Sequence, residues 1–357
     1  MRRWMACALP SVVPCHRFPP NTARPLIHPR VARIASIALR LVLLALASWA
    51  LRRGLVGVHA AELWSQFHAY GWRHAALALG CTAASFVTLG LIEVMALRAA
   101  GLHSRIPRRA AITTAFVTHA FSQSVGLALL TGAAVRLRAY ARYRMDAAAV
   151  GRTSAFVTLT VTLGLIACGA GAFLASSEPL RLLGRELAVR PVGLMLAIVV
   201  FAYVVWSATA LREVVGRGRW QIRRPTARVA MGQLLLSSVD WLLTGTVLFA
   251  LLPASAGIGY GEMLRAYLIA QTVGVASHIP GGAGVFEAVM LTLVARGDMA
   301  QQAAIVAALV MFRIVYYLLP LISAVIVSAV AELRPRGGST ITAGRAATDR
   351  GALQRVG

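Results

Sequence analysis

Long apolar runs separated by short arginine-rich stretches dominate the sequence. Two further apolar stretches, 110–134 and 264–295, are interrupted in the middle by polar residues and glycine. A helix needs about 20 apolar residues to cross roughly 30 Å of hydrocarbon. Six uninterrupted runs come close to or exceed this length, near residues 34–51, 75–97, 153–176, 192–211, 229–252 and 303–330. The pattern predicts an all-α polytopic membrane protein with about six transmembrane helices.

The two interrupted stretches predict re-entrant hairpins, each of which enters and leaves the membrane on one side. The first is broken by His119 and by SQS at 122–124, the second by HIPGG at 278–282. If both were ordinary spans, the outside loops would carry the five arginines of 135–152 and the six of 212–228, against the positive-inside rule. Hairpins entering from opposite sides instead place 26 arginines in the cytoplasm and 8 outside. We therefore expect two opposed hairpins, as in the inverted repeats of transporters, and cytoplasmic termini.

Two polar tails flank this membrane region. Residues 1–33 contain six arginines and six prolines, and 334–357 are rich in arginine, glycine and threonine without hydrophobic periodicity. Such composition does not support a packed element. The predicted organisation is a disordered basic cytoplasmic tail over 1–33, a transmembrane domain over 34–332 and a second disordered cytoplasmic tail over 333–357.

The composition excludes a soluble globular protein, since 58% of the residues are hydrophobic, 13% are charged and the mean hydropathy is +0.71. All 36 basic residues are arginine, against 12 acidic ones, which gives a net charge of +24. Because the arginines lie between apolar runs, they indicate membrane orientation and contact with anionic lipid headgroups, not nucleic-acid binding. The four cysteines are scattered, and no nucleotide-binding or hydrolase motif occurs. We expect no metal, no cofactor and no enzyme activity.

The second break is suited to anion binding. A proline followed by glycines at 280–284 can open a half-helix whose amides and dipole favour a negative charge. Glu287 follows in an otherwise apolar half-helix, and Arg313 of the last span is its natural partner. The alternatives are a simple tight turn at the glycines and a structural ion pair between the two charges. Asp240 and Glu93 are the other acids inside spans. Either is a proton-coupling group or is satisfied by a serine or a water.

The first hairpin is followed by a basic and aromatic stretch at 132–144 that includes Arg136, Arg138 and Tyr140. Lipid phosphates would lie at such a rim of the membrane. The alternative is that these arginines act only as a topology signal.

Three motifs occur in order along the chain: GAAVRLRAY at 132–140, SHIPGGAGVFE at 277–287 and RIVYYLLP at 313–320. With them, residues 35–332 resemble the membrane region of the lysylphosphatidylglycerol synthase (multiple peptide resistance factor) family. The resemblance implies the lipid flippase region of that family, without the soluble domain that transfers an amino acid from charged tRNA. The residues that match its motifs are Arg136, Pro280, Gly281, Gly282, Gly284, Glu287 and Arg313.

The sequence therefore predicts a lipid translocase of the bacterial inner membrane that moves an anionic or aminoacylated phospholipid, or a related lipid, between leaflets. Expected partners are membrane lipids with anionic headgroups, a second copy of the chain and a separately encoded lipid-modifying enzyme. Glu287 and Asp240 are candidates for proton coupling. The predicted substrate-binding residues are Arg136, Arg138, Tyr140, Ser122, Gln123, Ser124, Pro280, Gly281, Gly282, Gly284, Glu287, Arg313 and Tyr316.

Two other functions remain open from the sequence. The first is a membrane-embedded partner that presents lipid to a separate aminoacyltransferase of the lysylphosphatidylglycerol type. The second is an ion-coupled transporter of small solutes, which would need no lateral opening to lipid.

Overall fold

The computed structural model describes residues 71–125, 128–176, 179–182, 185–209, 214–215, 222–296 and 299–333. The predicted span at 34–51 and the predicted tails lie outside this part, apart from Leu333. The helices are α1 (Gly71–Ala99), α2 (Arg108–Val125), α3 (Ala128–Tyr140), α4 (Ala147–Leu174), α5 (Arg190–Thr209), α6 (Ala227–Ala250), α7 (Tyr260–Ala276), α8 (Val285–Val294), α9 (Met299–Phe312) and α10 (Leu319–Leu333).

Five helices in the described residues are long and apolar enough to cross a membrane. They are α1, α4, α5, α6 and the continuous stretch Met299–Ala331, which contains α9, a π-helical segment at Arg313–Leu318 and most of α10. These helices coincide with five of the six predicted spans, so the all-α polytopic fold is confirmed.

Two small antiparallel hairpins were not predicted from the sequence. Strand β1 (Leu180–Leu182) pairs with β2 (Arg185–Leu187), and β3 (Val214–Val215) pairs with β4 (Ile222–Arg223). They connect α4 to α5 and α5 to α6, and β1 contacts α8.

The first interrupted stretch folds as a helical hairpin, because α2 and α3 pack against each other. At its base, Leu97 from the end of α1 and Ile106 before α2 share a buried cluster with Tyr140 at the end of α3 and Val150 near the start of α4. The chain therefore returns at the end of α3 to the end of the bundle from which α2 begins. This is the geometry expected of a re-entrant hairpin.

The second interrupted stretch folds in the same way, with α7 and α8 packed together and a 3-10 turn at Pro280–Gly282 between them. Its base is closed by an ion pair, since Arg296 Nη2 lies 3.0 Å from Glu262 Oε2. Gln301 Nε2 also donates to the Ala256 carbonyl oxygen at 2.7 Å, which ties the start of α9 to the loop before α7.

The two hairpins enter the bundle from opposite ends. The first residues of α4 pack at the base of the first hairpin, whereas residues at its other end, including Ser176, line one cavity with Glu262 at the base of the second. Helix α4 has 28 residues, which corresponds to a length of about 42 Å. The predicted opposed arrangement is present, and the assignment of one end to the cytoplasm stays a prediction.

The second helix break contacts the first hairpin. Helix α2 contacts both the Pro280–Gly282 turn and α10. An aromatic cluster surrounds this junction, in which Phe312 stacks on Tyr316 with ring centres 5.5 Å apart and on Phe286 with centres 6.1 Å apart. Tyr267 meets Phe286 edge to face. At this break Gly282 is buried, whereas His278, Ile279 and Gly284 are exposed.

Candidate functional site

Three glycines of the second break adopt the left-handed backbone region, with φ of 60° at Gly281, 61° at Gly282 and 86° at Gly284. A Cβ atom on Gly282 would lie 3.3 Å from the Cα of Gly274, so the turn also packs tightly on α7. Only glycine meets both demands without strain.

The amides of this break are not free for an anion in this conformation. The Gly282 amide donates to the Ile279 carbonyl oxygen at 2.8 Å, and the Gly284 amide donates to Glu287 Oε2 at 2.8 Å. The carboxylate of the chain itself therefore occupies the anion position expected at the start of α8. The physical reason is that the first amides of a helix have no partner within the helix and take a nearby acceptor.

Arg313 joins both sides of the break. Its Nε donates to Glu287 Oε1, and its Nη1 donates to the Gly281 carbonyl oxygen at 3.0 Å. The guanidinium also lies over the rings of Phe286 and Tyr317. The pairing of Arg313 with Glu287 matches the sequence prediction, and its role stays a prediction. Arg313 begins the π-helical segment, a distortion that often accompanies functional sites.

A second ion pair lies beside the first hairpin. Arg136 Nη2 lies 2.7 Å from Glu93 Oε2, and the two side chains are 5% and 0% exposed. Tyr140 donates its hydroxyl to Glu93 Oε1 at 2.9 Å, one helical turn beyond Arg136. Arg138, between them, is exposed. The stretch expected to form one basic and aromatic rim is thus divided, with Arg136 and Tyr140 facing inward. The sequence analysis considered Glu93 and Arg136 separately and missed this pair.

Four polar atoms of α2 are buried without a hydrogen-bond partner in the described part of the chain. They are Thr118 Oγ1, His119 Nε2, Ser122 Oγ and Gln123 Oε1. Leaving one such group unsatisfied costs about 1–3 kcal/mol. The group of four is therefore a place where water or a polar ligand is needed. Ser122 and Gln123 were predicted here; Thr118 was missed, although its spacing of four residues from Ser122 predicts a shared helix face.

The face of α2 that carries Thr118 and Ser122 lies next to Arg136. A Cβ atom on Gly132 would lie 3.2 Å from Arg136 Nη1, 3.3 Å from Ser122 Oγ and 3.4 Å from Thr118 Cγ2. The absence of a side chain at Gly132 thus lets α3 approach α2 closely at the point where a guanidinium and a hydroxyl converge. We call Thr118, Ser122, Gly132 and Arg136 the polar cradle.

Asp240 is held by hydroxyl groups. Ser85 Oγ donates to Asp240 Oδ1 at 2.5 Å and lies 3.0 Å from the Tyr316 hydroxyl. Thr244 Oγ1 lies 3.1 Å from the same hydroxyl. The serine contact is one of the two possibilities raised by the sequence, and proton coupling at Asp240 or Glu287 stays a prediction. The side chains of Ser124 and Pro280 lie outside what the structure describes.

Comparison with known proteins identifies relatives of this chain. No family model matches the chain. An uncharacterized protein of Synechocystis sp. is 30% identical over 276 residues, covering 73% of this chain and 84% of that protein. The inner membrane protein YbhN of Escherichia coli is 28% identical over 268 residues, covering 74% of this chain and 82% of YbhN. The phosphatidylglycerol lysyltransferase of Staphylococcus haemolyticus is 22% identical over 249 residues, covering 70% of this chain and 28% of that enzyme.

The chain belongs to the lysylphosphatidylglycerol synthase family of membrane proteins. The resemblance predicted from the three motifs is therefore confirmed. Members such as YbhN match this chain over most of their length, whereas the match to the lysyltransferase of the family is confined to 28% of that protein.

Proposed function

We propose that this protein is a lipid translocase of the bacterial inner membrane. In this proposal the polar cradle binds the headgroup of an anionic or aminoacylated phospholipid, which then passes between the leaflets. The observation that carries the proposal is the set of buried, unpartnered polar atoms on α2 beside Arg136. The relatives named phosphatidylglycerol lysyltransferases support the choice of an anionic phospholipid, because phosphatidylglycerol is the lipid in their name.

The chemistry of the cradle suits a phosphate. The hydroxyls of Thr118 and Ser122 can donate to phosphate oxygens. Nη1 of Arg136 and Oγ of Ser122 both lie beside Gly132. Nη1 of Arg136 donates to Ser154 Oγ at a long 3.4 Å, so a closer oxygen can replace this acceptor. A charge-assisted bond from guanidinium to phosphate is stronger than this contact.

The two ion pairs keep the interior nearly neutral when no lipid is bound. Arg136 is paired with Glu93, and Arg313 with Glu287, so neither arginine is an isolated charge in a low-dielectric region. A lipid phosphate competes with these carboxylates for the guanidinium groups. Such competition limits the affinity, which a translocase needs in order to release the lipid on the other side.

In this proposal the two hairpins form the path by which the lipid headgroup crosses the membrane. They enter from opposite ends, and α2 of the first contacts the Pro280–Gly282 turn of the second. Movement of one hairpin relative to the other would expose the polar cradle to one end and then to the other, as in alternating access. In this proposal the chain catalyses no reaction and needs no cofactor, and an aminoacylated lipid is supplied by a separate enzyme.

The test is translocation of fluorescent phosphatidylglycerol in proteoliposomes, followed by chemical quenching of the label in the outer leaflet. The Thr118→Val/Ser122→Ala double variant removes two hydroxyls with little change in volume. We expect it to lower the translocation rate at least about tenfold, the loss that corresponds to 1.4 kcal/mol. Thr113→Val on the exposed face of α2 is the matched control and should translocate normally. Equal rates in the double variant and the wild type would overturn the site.

If the wild-type protein moves no lipid under any ion gradient, the translocase proposal fails. Binding of phosphatidylglycerol without movement would then support the role of a lipid-presenting partner. Neither binding nor movement of lipid would support transport of a small solute.

A further inference from the structure

An open groove runs along the outside of the helical body between α4, α6 and α7. We call it the lateral groove, and its volume is about 560 Å³. None of its lining residues belongs to the polar cradle or to the helix breaks. Its walls are formed mainly by small residues that leave space beside α4, and include Ala167, Gly171, Ala172, Ala175, Gly261 and Arg265.

The length of the groove matches the acyl chain of one leaflet. It is lined by α4 and the residues after it from Ala167 to Ser176, and a helical rise over this distance is about 14 Å. Half of the hydrocarbon thickness is about 15 Å. Its inner end lies beside Ser238 and Leu242 in the middle of α6. An acyl chain that enters at the base of the second hairpin would therefore reach roughly the centre of the membrane.

The outer end of the groove is positively charged in the described residues. Arg265 lines the groove and has no hydrogen-bond or ion-pair partner there. Glu262 lines it too, but its charge is matched by Arg296 at 3.0 Å. Arg190 donates its Nε to the carbonyl oxygen of Ser176 at 3.0 Å, which adds a further cation at this end. Among the described residues that line the groove, Arg265 is therefore available to a lipid phosphate, because Glu262 is already paired with Arg296.

We infer that the lateral groove binds an anionic phospholipid, with one acyl chain between α4, α6 and α7 and the phosphate on Arg265. The positive charge at the outer end of the groove favours an anionic headgroup, and the apolar walls favour a headgroup that carries an acyl chain. This inference does not rest on translocation, because a lipid bound at this groove need not cross the membrane.

The first test is native mass spectrometry of the full chain in detergent with dioleoyl phosphatidylglycerol or dioleoyl phosphatidylcholine. The Thr118→Val/Ser122→Ala background prevents lipid held in the polar cradle from contributing. We expect phosphatidylglycerol to bind about fivefold better than phosphatidylcholine, as one arginine at a lipid surface provides. Arg265→Gln should abolish this preference. Arg228→Gln, an exposed arginine at the start of α6, is the matched control and should keep it.

The second test fills the groove. A Cβ atom on Gly171 would meet nothing within 4 Å, so Gly171→Leu places a side chain in the groove without a clash at Cβ. We expect at least fivefold weaker binding of both lipids. Gly80→Leu on α1, where the space is also open, is the control. Phosphatidylglycerol with a photoactivatable acyl chain should crosslink to residues 167–176 in the wild type and not in Gly171→Leu.

Three results would overturn the inference: an unchanged lipid preference in Arg265→Gln, unchanged binding in Gly171→Leu, or displacement of the lipid by water-soluble glycerophosphoglycerol at equal concentration. Displacement by glycerophosphoglycerol would show that the outer end of the lateral groove binds a free phosphate group and that the acyl chain adds nothing to the affinity. Failure of the translocase proposal looks different, because the wild type would then bind lipid with these properties and move none.

Discussion

Arg136 and Glu93 form a buried ion pair that joins α1 to the first hairpin. Nη2 of Arg136 lies 2.7 Å from Oε2 of Glu93, and Nε lies 3.0 and 3.1 Å from the two carboxylate oxygens. Tyr140 completes the site by donating to Glu93 Oε1 at 2.9 Å. This arrangement pairs the two charges where both side chains are buried.

Removing one member of this pair should destabilise the protein strongly. Glu93→Ala leaves the guanidinium of Arg136 without its counter-charge, and the expected loss is about 3–5 kcal/mol in the free energy of unfolding. Arg138 is two residues after Arg136 and is exposed. Arg138→Ala should therefore change the free energy of unfolding by less than about 0.5 kcal/mol. Reversible denaturation of the purified protein in mixed micelles measures both values.

Replacing both members separates stability from transport. Glu93→Leu combined with Arg136→Met removes both charges and should recover most of the lost stability. The same double variant should not translocate phosphatidylglycerol, because Arg136 is then missing from the polar cradle. Normal translocation by a folded double variant would contradict the proposed role of Arg136.

The pair at the second break is more accessible, with side-chain exposures of 8% for Arg313 and 16% for Glu287. Glu287→Gln keeps a side-chain oxygen as acceptor for the Gly284 amide but removes the charge. We expect Glu287→Gln and Arg313→Ala each to abolish translocation while the amount of folded protein, measured by size-exclusion chromatography, stays the same. If folded protein is lost instead, the pair is structural.

Gly284 provides a test of the backbone at the start of α8. Its φ is 86°, and a Cβ atom there would meet nothing within 4 Å. The cost of Gly284→Ala therefore comes from the backbone alone and should be about 1–3 kcal/mol in the free energy of unfolding. Gly80→Ala also enters open space but has a helical backbone, so it should stabilise α1 by up to about 1 kcal/mol. Equal effects of the two substitutions would contradict this account.

The orientation in the membrane can be read from single cysteines in a variant that lacks the four natural ones. Ser255, in the loop before α7, and Arg142, after α3, are both exposed at opposite ends of the bundle. With cytoplasmic termini, Ser255→Cys should react with a membrane-impermeant maleimide in intact cells. Arg142→Cys should react only after permeabilisation. The reverse pattern would place the first hairpin on the outside.

Substitution of Asp240 tests whether translocation is coupled to protons. Asp240→Asn retains an oxygen that can accept from Ser85 but cannot exchange a proton with the solvent. We expect the variant to fold and to translocate lipid at a rate that no longer responds to an imposed pH gradient. Ser85→Ala, which leaves the carboxyl group in place, should keep the response. A response retained by Asp240→Asn would remove Asp240 from the coupling mechanism.

Much of the architecture follows from local sequence. A run of some twenty apolar residues has few stable states other than a membrane helix, because its backbone must bond to itself in hydrocarbon. This is why five predicted spans match the helices between Gly71 and Ala331. The break at Pro280–Gly282 was also visible, since proline and glycine disturb a helix locally. The link from Glu287 to Arg313 could be inferred because two opposite charges in apolar runs have little else to pair with.

Tertiary structure decided which polar groups meet across the bundle. Glu93 and Arg136 are 43 positions apart and Ser85 and Asp240 are 155 apart, and each could have faced several helices. Packing of α1 against α6, and of α3 beside α1, selects these contacts. The hydroxyls of Thr118 and Ser122 on α2 have no partner in the described part of the chain. Local sequence thus determined the helices and their breaks, because backbone hydrogen bonding in a membrane is a short-range demand. The polar cradle arose only when the helices packed, because the partner of a buried side chain depends on the rotation and position of the neighbouring helix.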